Sequence, residues 1–273
     1  MLDTIRWDAD LIRRYDLSGP RYTSYPTAVQ FHEGIGPFDQ LHALRDSRKA
    51  GHPLSLYVHI PFCANICYYC ACNKVITKDR GRSAPYLARL VREIEIVSRH
   101  LSREQVVEQL HFGGGTPTFL SPGQLRELMS QLRTHLNLLD DDSGDYGIEI
   151  DPREADWSTM GLLRELGFNR VSLGVQDFDM EVQKAVNRMQ TPEETRTIVE
   201  AARTLQYRSI NLDLIYGLPK QTPDSFARTV DEVIALQPDR LSVFNYAHLP
   251  ERFMPQRRIN ADDLPSPGQK LEM

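Results

Sequence analysis

From residue 54 to residue 250 one rhythm persists, with short apolar runs of strand length alternating with amphipathic runs of helical length. The strand candidates are Leu54–Ile60, Glu108–Phe112, Tyr146–Ile150, Arg170–Val175, Ser209–Ile215 and Arg240–Tyr246. Helical periodicity falls between them, near 84–100, 121–136, 156–166, 192–205 and 222–236. Thr191-Pro192 and Thr222-Pro223 each set a capping hydroxyl before a first-turn proline, and Leu166-Gly167 reads as a helix stop. Strands and helices in such alternation imply parallel βα units. A doubly wound open sheet and a TIM-like barrel both satisfy the count. Residues with ligand chemistry fall just after successive strands, as they do on the open face of a barrel.

All four cysteines lie within ten residues, directly after the first strand candidate: Cys63-x3-Cys67-x2-Cys70-x-Cys72. Pro61 ends that strand, so the thiols sit on a loop at a strand end. Clustered thiolates favour zinc or iron–sulfur centres. A structural zinc site takes two ligand pairs separated by a longer stretch, and here there is no distant second pair. Ferredoxin-type runs use other spacings. The x3-x2 triad suits three ligands of an iron–sulfur cubane, with one iron left free of protein. Cys72, two residues past Cys70, reads as a thiol beside the metal or on the substrate side. A zinc knuckle and a disulfide loop are the competing readings. The disulfide needs an oxidising compartment, which nothing in the sequence suggests.

Composition narrows the class. The 273 residues are 41% hydrophobic and 25% charged, with a formal charge of −5, as in an ordinary globular protein. No basic tract stands out, which argues against nucleic acid as the partner. Asp3, Asp8 and Asp10 interrupt the N-terminus, where a secretory signal would be apolar. No apolar span is long enough for a membrane helix. The expectation is a cytoplasmic protein without a membrane span.

Other stretches carry chemistry. Gly113-Gly114-Gly115-Thr116-Pro117 follows the second strand and lets a ligand approach the backbone closely. No Gly-Lys-Ser/Thr follows, so it is not a phosphate loop. Glu149 alternates with apolar neighbours on the third strand, where a carboxylate needs a ribose, an amine or an ion-pair partner. Gln176 ends the fourth strand and can donate and accept at once. Arg188 is either a carboxylate-binding guanidinium or a surface arginine. Asn211 and Asp213 share one face of the fifth strand and suggest a wet interior. Residues 6–16 suggest a short amphipathic helix, and Phe38 to Leu44 a modest one followed by a polar, basic connection. The segment 18–27, rich in tyrosine and containing Arg21, reads as a lid or as a packed surface loop. The expected division is an N-terminal segment over 1–53 serving as the lid, a core over 54–250, and the start of a further region over 251–273.

Cys63-x3-Cys67-x2-Cys70 resembles the signature of the radical S-adenosylmethionine enzymes. Three cysteines in that family hold a [4Fe–4S] cluster, on a six-stranded parallel (βα)6 partial TIM-like barrel. That resemblance decides for the barrel. Five stretches narrow it: Pro20-Arg-Tyr-Thr-Ser-Tyr-Pro-Thr-Ala28, Tyr57-Val-His-Ile-Pro-Phe-Cys63, Cys70-Ala-Cys72-Asn73-Lys74, Asn211-Leu-Asp-Leu-Ile-Tyr-Gly-Leu-Pro-Lys220 and Phe244-Asn-Tyr-Ala-His-Leu-Pro250. Together they resemble the oxygen-independent coproporphyrinogen III oxidases of bacterial haem biosynthesis.

The resemblance implies oxidative decarboxylation of two propionates of coproporphyrinogen III to vinyl groups by a 5′-deoxyadenosyl radical, giving protoporphyrinogen IX. It implies two S-adenosylmethionine molecules. Tyr57, Gly114 and Glu149 match residues around the cluster-bound one. Tyr69, Gly115, Thr116, Gln176, Arg188, Asp213 and Ala247 match those around the second. Cys72 and Arg21 are the catalytic candidates, with Arg21 on a substrate carboxylate. A reduced flavodoxin or ferredoxin-like donor, and a monomer when full length, are further expectations. Family members continue beyond this point into a helical C-terminal domain, so this chain is expected to be a truncated form, with little or no activity. A haem chaperone of the same superfamily and a zinc-binding structural protein are the alternatives.

Overall fold

The computed structural model describes Asp8, Asp10, Leu11, Arg14, Thr27 and Gln30, and then every residue from Phe31 to Met273. The helix expected over 6–16 and the segment containing Arg21 therefore lie outside the described residues, apart from those few positions. The chain divides into two units, Met1–Asp46 and Ser47–Met273. Helix α1, Pro37–Ala50, is longer than the sequence suggested. The stretch read as a polar connection, Arg45 to Ala50, is helical, because its residues are helix formers even though they carry no apolar stripe. Gly51, at φ 66°, follows the helix as its left-handed terminator.

The second unit holds the sheet. Its strands are β1 (Leu54–Ile60), β4 (Val106–Gly114), β6 (Asp145–Ile150), β7 (Arg170–Gln176), β8 (Ser209–Tyr216) and β9 (Arg240–Asn245), side by side in that order. Every neighbouring pair is parallel, as the alternation required. Helices α2 (Ser83–Ser98), α3 (Pro122–His135), α4 (Trp157–Glu165), α6 (Pro192–Thr204) and α7 (Pro223–Ala235) occupy the crossovers. The sequence did not reveal the two-residue pair β2 (Phe62–Cys63) and β3 (Val75–Ile76), the two-residue β5 (Asn137–Leu138) on β4, or α5 (Met180–Ala185). Such pieces are too short to show a period. A last short helix, α8, spans Pro267–Glu272.

Local chemistry sets the helix starts. Ser121, Thr191 and Thr222 each close a capping box, with Gln124, Glu194 and Ser225 respectively, and each is followed by proline. Each cap satisfies backbone donors that a helix leaves open, worth about 1 kcal/mol. Strand burial alternates: in β7 the residues Val171, Leu173 and Val175 are buried, while Arg170, Ser172, Gly174 and Gln176 are only partly so. The buried set faces the helices, where Phe112 and Phe168 meet edge to face at 5.0 Å. The other set faces the concave interior, which is polar: Asn211 donates to Ser172, Asp213 and Ser242 across three strands. No helix of the described residues is long and apolar enough to cross a membrane.

Candidate functional site

The cysteine loop leaves β1 at Pro61 and is held at several points. Phe62 and Cys63 pair with Val75 and Ile76, which closes the loop at its base. Tyr68 N–H donates to Val186 O (2.9 Å), and Asn187 Nδ2 donates to Ile66 O (2.7 Å). Lys74 Nζ donates to the carbonyls of Cys70 and Cys72 at 2.9 and 3.2 Å. All four thiols are free. Cys63, Cys67, Cys70 and Cys72 line one cavity of about 300 Å³ at the carboxyl ends of the strands.

Donors surround the sulfurs. Thr116 Oγ1 lies 3.6 Å from Cys63 Sγ, and Arg188 Nη1 and Arg153 Nη2 lie 3.6 and 3.8 Å from Cys67 Sγ. Burial pushes the Cys63 thiol up to about 11. Cys70 is held down to about 6 by the hydrogen bond from Cys72, against its burial and with help from Lys74. Cys72 is pushed up by the same bond to Cys70 and by burial. Among the described residues no group of three or more His, Cys, Asp or Glu is drawn together as a preformed metal site. The three thiols still suit a soft centre larger than one ion: none is tied in a disulfide, and cationic or hydroxyl donors are aimed at two of them.

The glycines serve close packing. A Cβ on Gly113 would sit 2.9 Å from the Glu149 carboxylate, and one on Gly115 would sit 2.7 Å from Phe62 O. Gly114 adopts φ +117°, where a Cβ would also lie 2.6 Å from the His59 ring. The triple glycine thus lets β4 lie against the cysteine loop and against Glu149. Glu149 accepts from Gly114 N–H at 3.1 Å and stands 3.4 Å from His111 Nε2. Its side chain is 44% exposed into the interior, so the carboxylate is partnered and accessible at once.

Arg188 is not a surface arginine. Its side chain is 7% exposed, and Nη1 donates to Asp151 Oδ2 (2.9 Å) while Nη2 donates to Gly174 O (2.6 Å). Arg153 grips the same carboxylate at 2.9 and 2.6 Å. Burial alone would raise Asp151, but Arg188 and Arg153 overcome it and hold the carboxyl down to about 2. One carboxylate between two guanidiniums leaves a positive surplus beside Cys67. Among the described residues Arg188 Nε has no hydrogen-bond partner.

The cavity gathers most of the residues the sequence singled out: the four cysteines, Tyr69, Gly114, Gly115, Thr116, Glu149, Gln176, Arg188 and Asp213. Gln176 takes φ 69° at a register shift that ends β7. Asp213 accepts from Ser172 and Asn211 at 2.9 and 2.7 Å, and burial raises its carboxyl. Two residues stand apart from the cavity lining. Tyr57 is 59% exposed, stacked on His111 with its hydroxyl 3.1 Å from His59 Nδ1. Ala247 lies past β9, where its carbonyl accepts from Gln256. Arg21 is outside the described residues. Asp151, Arg153, Lys74 and His111 were not among the candidates. Asp151 and Arg153 directly follow the strand that carries Glu149, and that position was the available signal.

A family model described as the Radical SAM superfamily matches residues 57–233. The chain is 52% identical over 270 residues to the oxygen-independent coproporphyrinogen III oxidase of Escherichia coli (strain K12), covering 98% of this chain and 58% of that protein. It is 44% identical over 268 residues to the protein of the same name from Helicobacter pylori (strain J99), covering 97% and 58%. Among solved structures, the coproporphyrinogen III oxidase from Escherichia coli, described as a Radical SAM enzyme, superimposes with a TM-score of 0.90 at 48% identity, over 98% of this chain and 59% of that one. The chain therefore spans rather more than half the length of these relatives.

Proposed function

The chain belongs to the Radical SAM superfamily, and from that premise we propose that it acts in the oxygen-independent decarboxylation of coproporphyrinogen III to protoporphyrinogen IX. The observation that carries this reading is the convergence of the cysteine loop, the triple glycine, Glu149, Gln176, Arg188 and Asp213 on one cavity. The names and identities of the relatives support the choice of substrate.

In this reading Cys63, Cys67 and Cys70 hold a [4Fe–4S] cluster and Cys72 stands beside it. When bound, that cluster supplies the electron that cleaves S-adenosylmethionine and so starts radical chemistry at a propionate carbon no side chain is basic enough to deprotonate. The chain's own residues bind and orient. Tyr57, Gly114 and Glu149 receive one S-adenosylmethionine, with the Glu149 carboxylate suited to an amine or a ribose. Tyr69, Gly115, Thr116, Gln176, Arg188, Asp213 and Ala247 receive a second. The Asp151–Arg153–Arg188 group keeps positive charge beside Cys67, with two guanidinium donors 3.6 and 3.8 Å from its sulfur. A cavity of about 300 Å³ is far too small for a tetrapyrrole, so in this reading the macrocycle lies over its mouth. The proposal extends to Arg21, in the N-terminal segment 1–53, as the partner of a substrate carboxylate. A reduced flavodoxin or ferredoxin-like protein donates the electrons.

The test is anaerobic turnover of the reconstituted protein with coproporphyrinogen III, S-adenosylmethionine and a reduced donor. Release of CO2 in step with 5′-deoxyadenosine, at a low rate, is the expected result. Stable haem binding without CO2 would replace this reading with a haem chaperone. One zinc per chain, with neither outcome, would replace it with a structural protein.

A further inference from the structure

The sheet is open, with β1 and β9 as its two ends. Above it, the chain that follows β1 and the chain that follows β9 pack together, and one buried amide side chain hydrogen-bonds to both. Gln256 lies in a 3-10 turn, Met254–Arg258, and is 1% exposed. Its Nε2 donates to Tyr69 O on the cysteine loop (3.0 Å) and to Ala247 O past β9 (3.2 Å). Its Oε1 accepts from Leu249 N–H at 2.6 Å. Both amide protons and the carbonyl are therefore committed to backbone groups. Two carbonyls on one side and an N–H on the other allow a single orientation of the amide.

The surroundings hold the clasp in place. Tyr68 and Tyr69 pack against a buried group of Val182, Val186, Leu218, Tyr246 and Ile259. The Arg258 guanidinium lies 5.3 Å from the centre of the Tyr68 ring. Tyr69 thus has its ring in this apolar group and its carbonyl on Gln256, while Cys67 and Cys70 flank it in the chain.

We propose that Gln256 is a positioning residue, joining the two ends of the open sheet above the cavity and setting the cysteine loop against the segment that carries Ala247. Its effect on S-adenosylmethionine rests on the function proposed above. The clasp itself does not.

Two variants separate these claims. Gln256→Met keeps length and volume and removes every polar contact. Gln256→Glu keeps the acceptor for Leu249 N–H but turns an oxygen towards two carbonyls. Hydrogen exchange of the metal-free protein should be about ten-fold faster over residues 64–73 in both variants, the scale of one lost buried hydrogen bond. At Leu249 it should quicken in Gln256→Met alone. Amides of β6 and β7 should keep their protection. After reconstitution, S-adenosylmethionine should bind about ten-fold more weakly at unchanged iron content. Unchanged exchange over 64–73, or an acceleration shared equally by β6 and β7, overturns the clasp. A loosened loop with unaltered S-adenosylmethionine affinity overturns the positioning role. If Gln256→Met does not fold, the exchange and affinity of Gln256→Glu decide both points. Failure of the unaltered protein to bind S-adenosylmethionine overturns the proposed function and leaves the exchange result to judge the clasp.

Discussion

β1 and β9 hold equivalent places, the two outer strands of one parallel sheet, yet they are treated differently. On β1, Val58 is 5% exposed and Ile60 is fully buried. Helix α2 covers that edge: Tyr86 on it donates to His59 O, and its ring meets Phe62 edge to face at 5.5 Å. On β9, Leu241 is 43% and Val243 50% exposed. The chain leaving β9 forms 3-10 turns, and α8 packs on α7. In a βα fold the helix that follows a strand is what buries its outer face, so an edge is only as dry as the chain after it makes it. The same difference sorts chemistry. The β1 edge feeds the cysteine loop, and the β9 edge contributes Phe244 to the cavity lining and Ala247 beyond it.

The largest expected contrast between the edges is in metal content. Cys63→Ala, Cys67→Ala or Cys70→Ala should reduce reconstituted iron from about four per chain to near none, while Cys72→Ala keeps it. Phe244→Leu, on the opposite edge, should leave iron unchanged. An iron and sulfide assay reads all five, and loss of the cluster in Cys72→Ala would move the ligand set.

Next comes the seam between β1 and β4. Gly114→Ala forces a residue at φ +117° and drives a Cβ to 2.6 Å from His59. The ring cannot swing away freely, because it bonds Tyr57 and Asn73 O. A loss of about 3 kcal/mol is expected in urea unfolding, from left-handed strain plus overpacking. A loss under about 1 kcal/mol would mean the seam is looser than its geometry.

The wall between the edges gives a pH signature. Asp151 has a folded value of about 2, below its unfolded value of about 4. Its contribution, about 2 kcal/mol, is therefore complete above pH 4 and lost as pH falls through 2. Urea midpoints of the unaltered protein and of Asp151→Asn should differ at pH 7 and converge between pH 4 and 2. A constant gap would remove the ion pairs as its cause.

The smallest effect is the most direct comparison of the edges. Val58→Thr buries a hydroxyl and should cost about 1–2 kcal/mol. Val243→Thr, half exposed, should stay within about 0.5 kcal/mol. Equal costs would show that β9 is covered in solution.

What the sequence determined by itself was periodic or local. Apolar runs of strand and helix length, with two Thr-Pro caps, placed six strands and five crossover helices to within a few residues, because binary pattern and capping act over one or two turns. The cysteine spacing, Glu149 and Gln176 towards the ends of their strands, and Asp213 on one strand face marked residues that line the cavity. The extension of α1 to Ala50 was missed because propensity without an apolar stripe leaves no period to read. Only the tertiary structure decided the rest. It showed that Arg188 is buried and committed to Asp151, that the triple glycine makes room for His59, Glu149 and Phe62, and that Gln256 reaches a carbonyl 187 residues away in the chain. Those facts depend on which side chains meet across strands distant in sequence, and a pattern of neighbours along the chain carries no record of such meetings.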